Sequence, residues 1–213
     1  MAPKFVDGEV VEAKKGCTVM LLAELFSSQV LAPFIVMTGK RNATLQKKYN
    51  NWDGPSCIRF QESHWMDKPT AIDYLDFIRE CFPHDAIGLV WDSASMHISD
   101  DVLTHAKNIG IVIETIPAGM TSIIQVCDLL CNKPIKQYFK RRYQAWKMRQ
   151  NIPAGNKYKV KREDVISWLE LSILDSMKST MSQEALSQCF VPLDMILGSG
   201  IHCLSSKYTS KNC

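Results

Sequence analysis

With 213 residues, 46% of them apolar and 22% charged, the chain has the length and composition of an ordinary globular domain with a sizeable core, which excludes a fibrous or disordered class. No run approaches the roughly 18 apolar residues of a membrane span, and the opening MAPKFVDGEVVEAKKG lacks the apolar core and cleavage site of a secretory signal, so no membrane partner is expected. The formal charge of +3 hides a lopsided distribution: residues 131–162 hold eleven Lys or Arg and no Asp or Glu, leaving 14 basic against 22 acidic residues elsewhere.

In chain order, CTVMLL (residues 17–22) and VLAPFIVM (30–37) read as a β-hairpin about Ser27 and Ser28, with Pro33 marking an irregular or edge position. Residues 39–60 are polar, rich in Asn and Lys, and contain Asp53-Gly54-Pro55, so a loop is expected there. Between Thr70 and Cys81, Ile72, Leu75, Phe77, Ile78 and Cys81 follow helical spacing, and Pro83 ends the helix. IGLVW (87–91) predicts a buried strand ending on Asp92. Ser99-Asp100-Asp101 offers N-cap chemistry for a helix through Lys107, closed by Asn108 and Gly110. IVIETI (111–116) is the next strand, followed by the turn Pro117-Ala118-Gly119 and a long helix from Pro134 to about Gln150. A last long helix is expected from about Glu163 to Lys178 and a shorter one near residues 183–189. The eight cysteines (17, 57, 81, 127, 131, 189, 203 and 213) form no C-x-x-C pair. They predict reduced, mostly buried thiols of an intracellular protein, with no disulfide framework or zinc site.

Candidate chemistry concentrates where strand ends meet acidic residues. Asp92 stands at the carboxyl end of its strand, the position where open α/β sheets place ligands. Asp128 follows in QVCDLLCNKP, immediately before the basic segment. Carboxylates are hard oxygen ligands for Mg²⁺ or Mn²⁺, and two such ions about 3.5–4 Å apart stabilise both the entering and the leaving oxygen of a phosphoryl transfer. Each Asp by itself is equally well a cap or turn residue. The basic block favours a polyanion, because neutralising phosphates releases condensed counterions. Tyr138, Phe139, Tyr143, Trp146 and Tyr158 are interleaved with its charges and read as inward packing. His97, five residues after Asp92, either contacts phosphate or orients a carboxylate, or is simply a polar loop residue.

The segments GLVWDSASMHISDDV and ETIPAGMTSIIQVCDLLCNKPIKQYFKRRYQAW resemble the DDE superfamily endonuclease domain of pogo, Tigger and jerky-like transposases, related to Tc1-mariner elements. The matching features are a strand ending on Asp92 with His97 beyond it, Pro117 and Thr121, Gln125 to Asp128, and Asn132, Lys133, Pro134 and Lys136 opening a basic helix. Thirty-five residues separate the two Asp. CTVMLLAELFSSQVLAPFIVMTGK, HWMDKPTAIDYLDFI and KREDVISWLELSILDSMKSTMSQEALSQCF extend the likeness over roughly residues 14 to 196. The resemblance implies an α/β, ribonuclease H-like mixed sheet of five strands flanked by helices. It also implies Asp92 and Asp128 as catalytic and metal-binding residues, Mg²⁺ or Mn²⁺ as cofactor, DNA as partner and a nuclear location. Lys133, Lys136, Lys140, Arg141, Arg142, Lys147 and Arg149 are the expected DNA contacts, with His97 as an accessory.

Two departures qualify the resemblance. Family members carry a first catalytic Asp on a strand before the hairpin. Residues 1–16 hold no convincing counterpart, Asp7 and Glu9 being nominal substitutes, so the first strand is expected to be missing. Val126-Cys127 replaces the usual Pro-Leu. The organisation expected is an irregular 1–16, a partial catalytic domain at 17–150, a basic linker at 151–162, a helical segment at 163–197 and a flexible tail at 198–213. The expected function is a transposase-derived DNA-binding protein with impaired catalysis. The alternatives are an active metal-dependent endonuclease using Asp92, Asp128 and an unidentified third carboxylate, or an unrelated α/β enzyme. No glycine-rich phosphate loop, Gly-x-Ser-x-Gly or His-Glu-x-x-His favours the last of these.

Overall fold

A computed structural model describes residues 16–24, 27, 29–92, 94–95, 99–116, 125–150, 158–179, 185 and 202–211; for Asp128 and for 202–211 it describes the backbone alone. The apolar hairpin expected at the start forms: β1 (Cys17–Glu24) pairs antiparallel with the short β2 (Gln29–Val30) and with β3 (Phe34–Thr38). β1 is buried at all but one of its eight positions, as a central strand with both faces covered must be.

The loop expected at 39–60 is instead helix α1 (Thr44–Asn50) followed by β4 (Cys57–Gln61). Local composition hid both elements, because their stabilisation is tertiary. The buried Gln46 side chain donates to the Ile58 carbonyl at 2.9 Å and accepts from the Phe60 amide at 2.9 Å, tying helix to strand. β4 runs parallel to β3 and forms one edge of the sheet.

Helix α2 (Lys68–Cys81) starts two residues before the expected point. Asp67 caps it, its carboxylate accepting from the Thr70 amide at 2.9 Å, and Pro69 stands in the first turn, where its missing N–H costs nothing. β5 (Ile87–Asp92) and β6 (Ile111–Ile116) are parallel neighbours joined through α3 (Asp100–Asn108). Gly110, at φ +73°, closes α3 in the left-handed conformation that glycine adopts without strain. Beyond β6 a π-helical turn (Cys127–Cys131) runs straight into α4 (Asn132–Arg149), and α5 (Arg162–Ser179) returns along it. The helix expected near 183–189 lies almost wholly outside the described residues.

The sheet order is β4-β3-β1-β7-β5-β6, with β2 added against β1. β7 (His202–Lys211) comes from the segment expected to be a flexible tail. It lies between β1 and β5, antiparallel to the first and parallel to the second. Among the described residues, the place between β1 and β5 is thus taken by a strand from near the other end of the chain. The result is a mixed α/β sheet flanked by helices, of the ribonuclease H-like kind expected, with β2 and β4 extending the five-stranded core.

Side chains alternate across the sheet, so two cores form. On one face Met20, Leu22, Phe34, Leu89 and Trp91 meet Tyr74, Leu75 and Ile78 of α2 and Val102 and Ala106 of α3. Phe34 and Trp91 pack on Tyr74 with ring centroids 5.2 and 5.5 Å apart. On the other face Leu21, Ala23, Ile35 and Val90 meet Tyr49 of α1, Cys127 and Cys131 of the π-helical turn, Ile135 of α4, and Ile166, Leu169 and Ile173 of α5. Among the described cysteines, Cys17, Cys127 and Cys131 are buried, Cys57 is half-buried and Cys81 exposed, and all five are free thiols.

Candidate carboxylate site and nucleic-acid interface

Asp92 is the last residue of β5 and half-buried. Its strand is set by five preceding apolar or glycine positions, all buried, so the carboxylate emerges where the core ends. The Ala94 amide donates to Asp92 Oδ1 at 3.3 Å, the two-residue-on bond by which a short acidic side chain turns the chain out of a strand. By alternation Asp92 shares a face with Val90, which belongs to the core under the π-helical turn. Asp128 is the second residue of that turn.

The turn itself is anchored from both sides. Gln125, Val126 and Cys127 are fully buried, and Cys131 is too. The Leu129 amide donates to the Gln125 carbonyl at 3.1 Å, and the Cys127 thiol donates to the Leu21 carbonyl at 3.7 Å. The cysteine that replaces the expected leucine therefore fills a core position and binds the turn to β1. π-helical turns inside longer helices are frequent at functional sites. His97 lies outside the described residues.

Mg²⁺ and Mn²⁺ are held by several oxygen ligands, and a two-ion centre needs carboxylates that bridge. β7, the strand beside Asp92, reads HCLSSKYTSK and contains no Asp or Glu. Among the described residues no group of three or more His, Cys, Asp or Glu side chains could hold a metal ion.

The basic helix α4 divides its charges between two faces. Lys133, Lys136 and Lys140, at helical spacing, are exposed and line an open cleft together with Asn132 and Gln137. Gln137 and Asn132 were not among the expected contacts. Their position on the lysine face, at i+4 from Lys133 and one residue before it, was the available signal. Arg141 is exposed, its guanidinium 5.5 Å from the centre of the Tyr138 ring, and Arg149 is exposed at the helix end.

Arg142 and Lys147 face the protein instead. Arg142 forms an ion pair with Asp175 and donates to the Leu171 carbonyl at 3.3 Å, both on α5. Lys147 lies 5.0 Å over the Tyr158 ring. Phe139, Tyr143 and Trp146 pack about Trp168 of α5, with centroids 6.2, 6.1 and 5.6 Å from it, and Tyr158 meets Trp146 at 6.0 Å. The aromatics of the basic block therefore hold α4 to α5, which leaves the lysine face to solvent.

The base of α5 is anchored by charge. The Glu163 carboxylate accepts from Lys48 Nζ and from the Tyr49 hydroxyl, both at 2.7 Å, and these bonds hold it well below the usual carboxylate range, at about 2. Burial and the same carboxylate push the Tyr49 phenol up. Glu170 accepts from Trp52 Nε1 at 2.9 Å and from the Ser56 hydroxyl at 2.6 Å.

A family model described as "DDE superfamily endonuclease" matches residues 14–190. Among curated proteins, the mouse protein "Pogo transposable element with KRAB domain" is 22% identical over 178 residues, covering 80% of this chain and 28% of the relative; its human counterpart gives the same figures. The chain thus spans less than a third of the length of these relatives. No solved structure matches.

Proposed function

Since the chain belongs to the DDE superfamily endonuclease family, we propose that it is a transposase-derived DNA-binding protein that grips duplex phosphates with α4 and does not cut DNA as a 213-residue chain. The exposed Lys133, Lys136 and Lys140 lining one open cleft support the binding half of this reading. Their helix contains no acidic residue to offset them, and each phosphate neutralised releases counterions, so affinity must fall steeply with salt. Arg141 and Arg149 extend the same charged surface, while Arg142 and Lys147 position the helix. DNA as the partner brings a nuclear location with it.

The catalytic half rests on the strand beside Asp92. DDE superfamily endonucleases use divalent metals. Here Asp92 at the end of β5 and Asp128 in the π-helical turn are the two candidate carboxylates, and β7 supplies none. A metal-dependent endonuclease remains the second reading, favoured by the position of Asp92 at the end of β5 with the Asp128 turn following on the same face. Incubating the purified chain with supercoiled plasmid and Mn²⁺ separates the two. Salt-sensitive binding without nicking is expected. Nicking that disappears in Asp92→Asn would establish the second reading, and absence of binding at low salt would overturn both.

A further inference from the structure

We propose that the carboxyl ends of β3 and β4 form a second DNA contact, where an unpaired base stacks on Trp65 and the neighbouring phosphates meet Lys40 and Lys161. The inference rests on the DNA-binding reading and extends it from duplex to single strands. β3, β4 and β5 run in one direction, because β1 is antiparallel to both β3 and β7, β4 is parallel to β3, and β5 is parallel to β7. The connections that leave β3 and β4 thus emerge at the same edge of the sheet as Asp92, the edge where open α/β sheets bind ligands.

Trp65 is 50% exposed, and its ring lies over the His64 imidazole with centroids 5.9 Å apart and planes at 26°. The imidazole is held from behind. The Thr38 hydroxyl donates to the Gly16 carbonyl at 3.1 Å and accepts from His64 Nδ1 at 3.3 Å. Burial holds the His64 pKa below the usual value, so the ring is neutral at pH 7. It packs so closely on Gly16 that a Cβ there would come within 2.5 Å of Nε2. His64 also keeps φ at +58°, a conformation uncommon outside glycine, which turns the chain so that Met66 enters the core and Trp65 stays outside. A broad aromatic face is thereby offered to solvent on a fixed backing.

The same threonine brings the end of the basic segment to this place. Arg162 donates to the Thr38 carbonyl at 3.3 Å and lies 5.9 Å from the centre of the Phe60 ring, and Lys161 before it is exposed. Lys40, two residues beyond Thr38, is exposed as well. Glu62 is the exposed acid of the connection from β4, while Asp67 is committed to capping α2, so the cations outweigh the acids here. Positive charge beside an exposed aromatic ring is the pairing that single-strand sites use, since phosphates meet the charge and any base can stack on the ring. In a duplex the base faces cover one another, so only an unpaired base can cover Trp65. The cleft on α4, lined by Lys, Asn and Gln, suits the phosphate backbone instead.

Fluorescence anisotropy of the full chain with a blunt duplex, and with the same duplex carrying a short oligothymidine overhang, tests the proposal. The overhang is expected to raise affinity. Trp65→Ala is expected to weaken binding of the overhang probe about 5-fold or more, and Trp65→Phe to restore most of it, with blunt-duplex binding equal in all three. Lys40→Glu with Lys161→Glu is expected to lower the salt slope for the overhang probe alone. A 2-aminopurine placed in the overhang is expected to be quenched on binding, which reports stacking in the parent and decides alone if Trp65→Ala does not fold. An unquenched probe, equal affinity of the parent for both DNAs, or equal loss on both in Trp65→Ala overturns the proposal and leaves duplex binding by α4 standing. Absence of binding to either DNA overturns the DNA-binding reading and this inference with it.

Discussion

Lys207 pairs with Leu21 across the antiparallel β1–β7 ladder, and the parallel β5–β7 register, carried two residues past its last pair, brings Lys207 level with Asp92. Leu21 and Val90 both belong to the core beneath the π-helical turn, so this position of β7 lies on the face that Asp92 and the turn share. A carboxylate placed here would meet Asp92 from the neighbouring strand. Lys207→Asp is expected to gain a Mn²⁺-dependent rise in Tm that the parent lacks. At free Mn²⁺ about 100 times its Kd this corresponds to about 2.7 kcal/mol. Scanning calorimetry with and without the ion reads it, and adding Asp92→Asn must abolish the shift if the two positions converge.

The lysine face of α4 makes a separate claim on DNA. Charge reversal at Lys133, Lys136 and Lys140 together is expected to weaken duplex binding about equally for all sequences. The slope of log affinity against log salt should fall by about 0.9 for each phosphate no longer neutralised. Fluorescence anisotropy over a salt series measures both. An unchanged slope would remove the cleft from the interface.

Arg142 belongs to the same run of charges and does different work. Its ion pair with Asp175 is only partly shielded from solvent, at 26% and 37% side-chain exposure. Arg142→Ala is therefore expected to cost no more than about 1 kcal/mol of stability and to leave the salt slope of DNA binding unaltered. Urea denaturation paired with anisotropy distinguishes this from direct binding to phosphate, which would lower the slope.

Glu163 gives the acid limb of stability a definite sign. Hydrogen bonds from Lys48 and Tyr49 hold its folded pKa at about 2, below the ordinary 4.5. Over that interval the unfolded chain binds more protons, so the contribution is full above pH 4.5 and fades as pH falls toward 2. Glu163→Gln is expected to flatten this part of the stability profile by lowering stability above pH 4.5, where the contribution is full, and to change little near pH 2, as thermal melts at stepped pH would show.

Gln46 carries the edge strand that the local sequence conceals. Its amide serves the Ile58 carbonyl and the Phe60 amide in a buried setting. Gln46→Ala leaves both backbone groups without that partner and is expected to cost about 1–3 kcal/mol for each group left unsatisfied. The urea midpoint measures the loss. A change below about 0.5 kcal/mol, the ordinary range for surface substitutions, would mean that water takes over.

Much of the chain was legible from residues alone. Alternation and short apolar runs marked β1, β3, β5 and β6, helical spacing marked α2 and α5, and Pro134 with an unbroken basic run marked α4. These signals are local, because each element buries its own apolar stripe. The two Asp were legible too, one at a strand end and one before the basic helix. By contrast α1 and β4 draw their stability from a buried glutamine and from docking under α5, through Glu163 and Glu170. Glu163 and Glu170 lie 114 and 118 positions from Tyr49 and Trp52, beyond the reach of any local pattern.

The sequence by itself determined that two carboxylates and a basic helix stand in order on an α/β sheet, because strand ends and charge runs are written in consecutive residues. Only the tertiary structure decided which charges face solvent and which strand stands beside Asp92. Arg142 and Lys147 turn inward because α5 supplies a partner for the one and the Tyr158 ring for the other. The place next to Asp92 goes to a polar segment from the far end of the chain, because two buried strand edges must be paired and backbone hydrogen bonds do not read side chains.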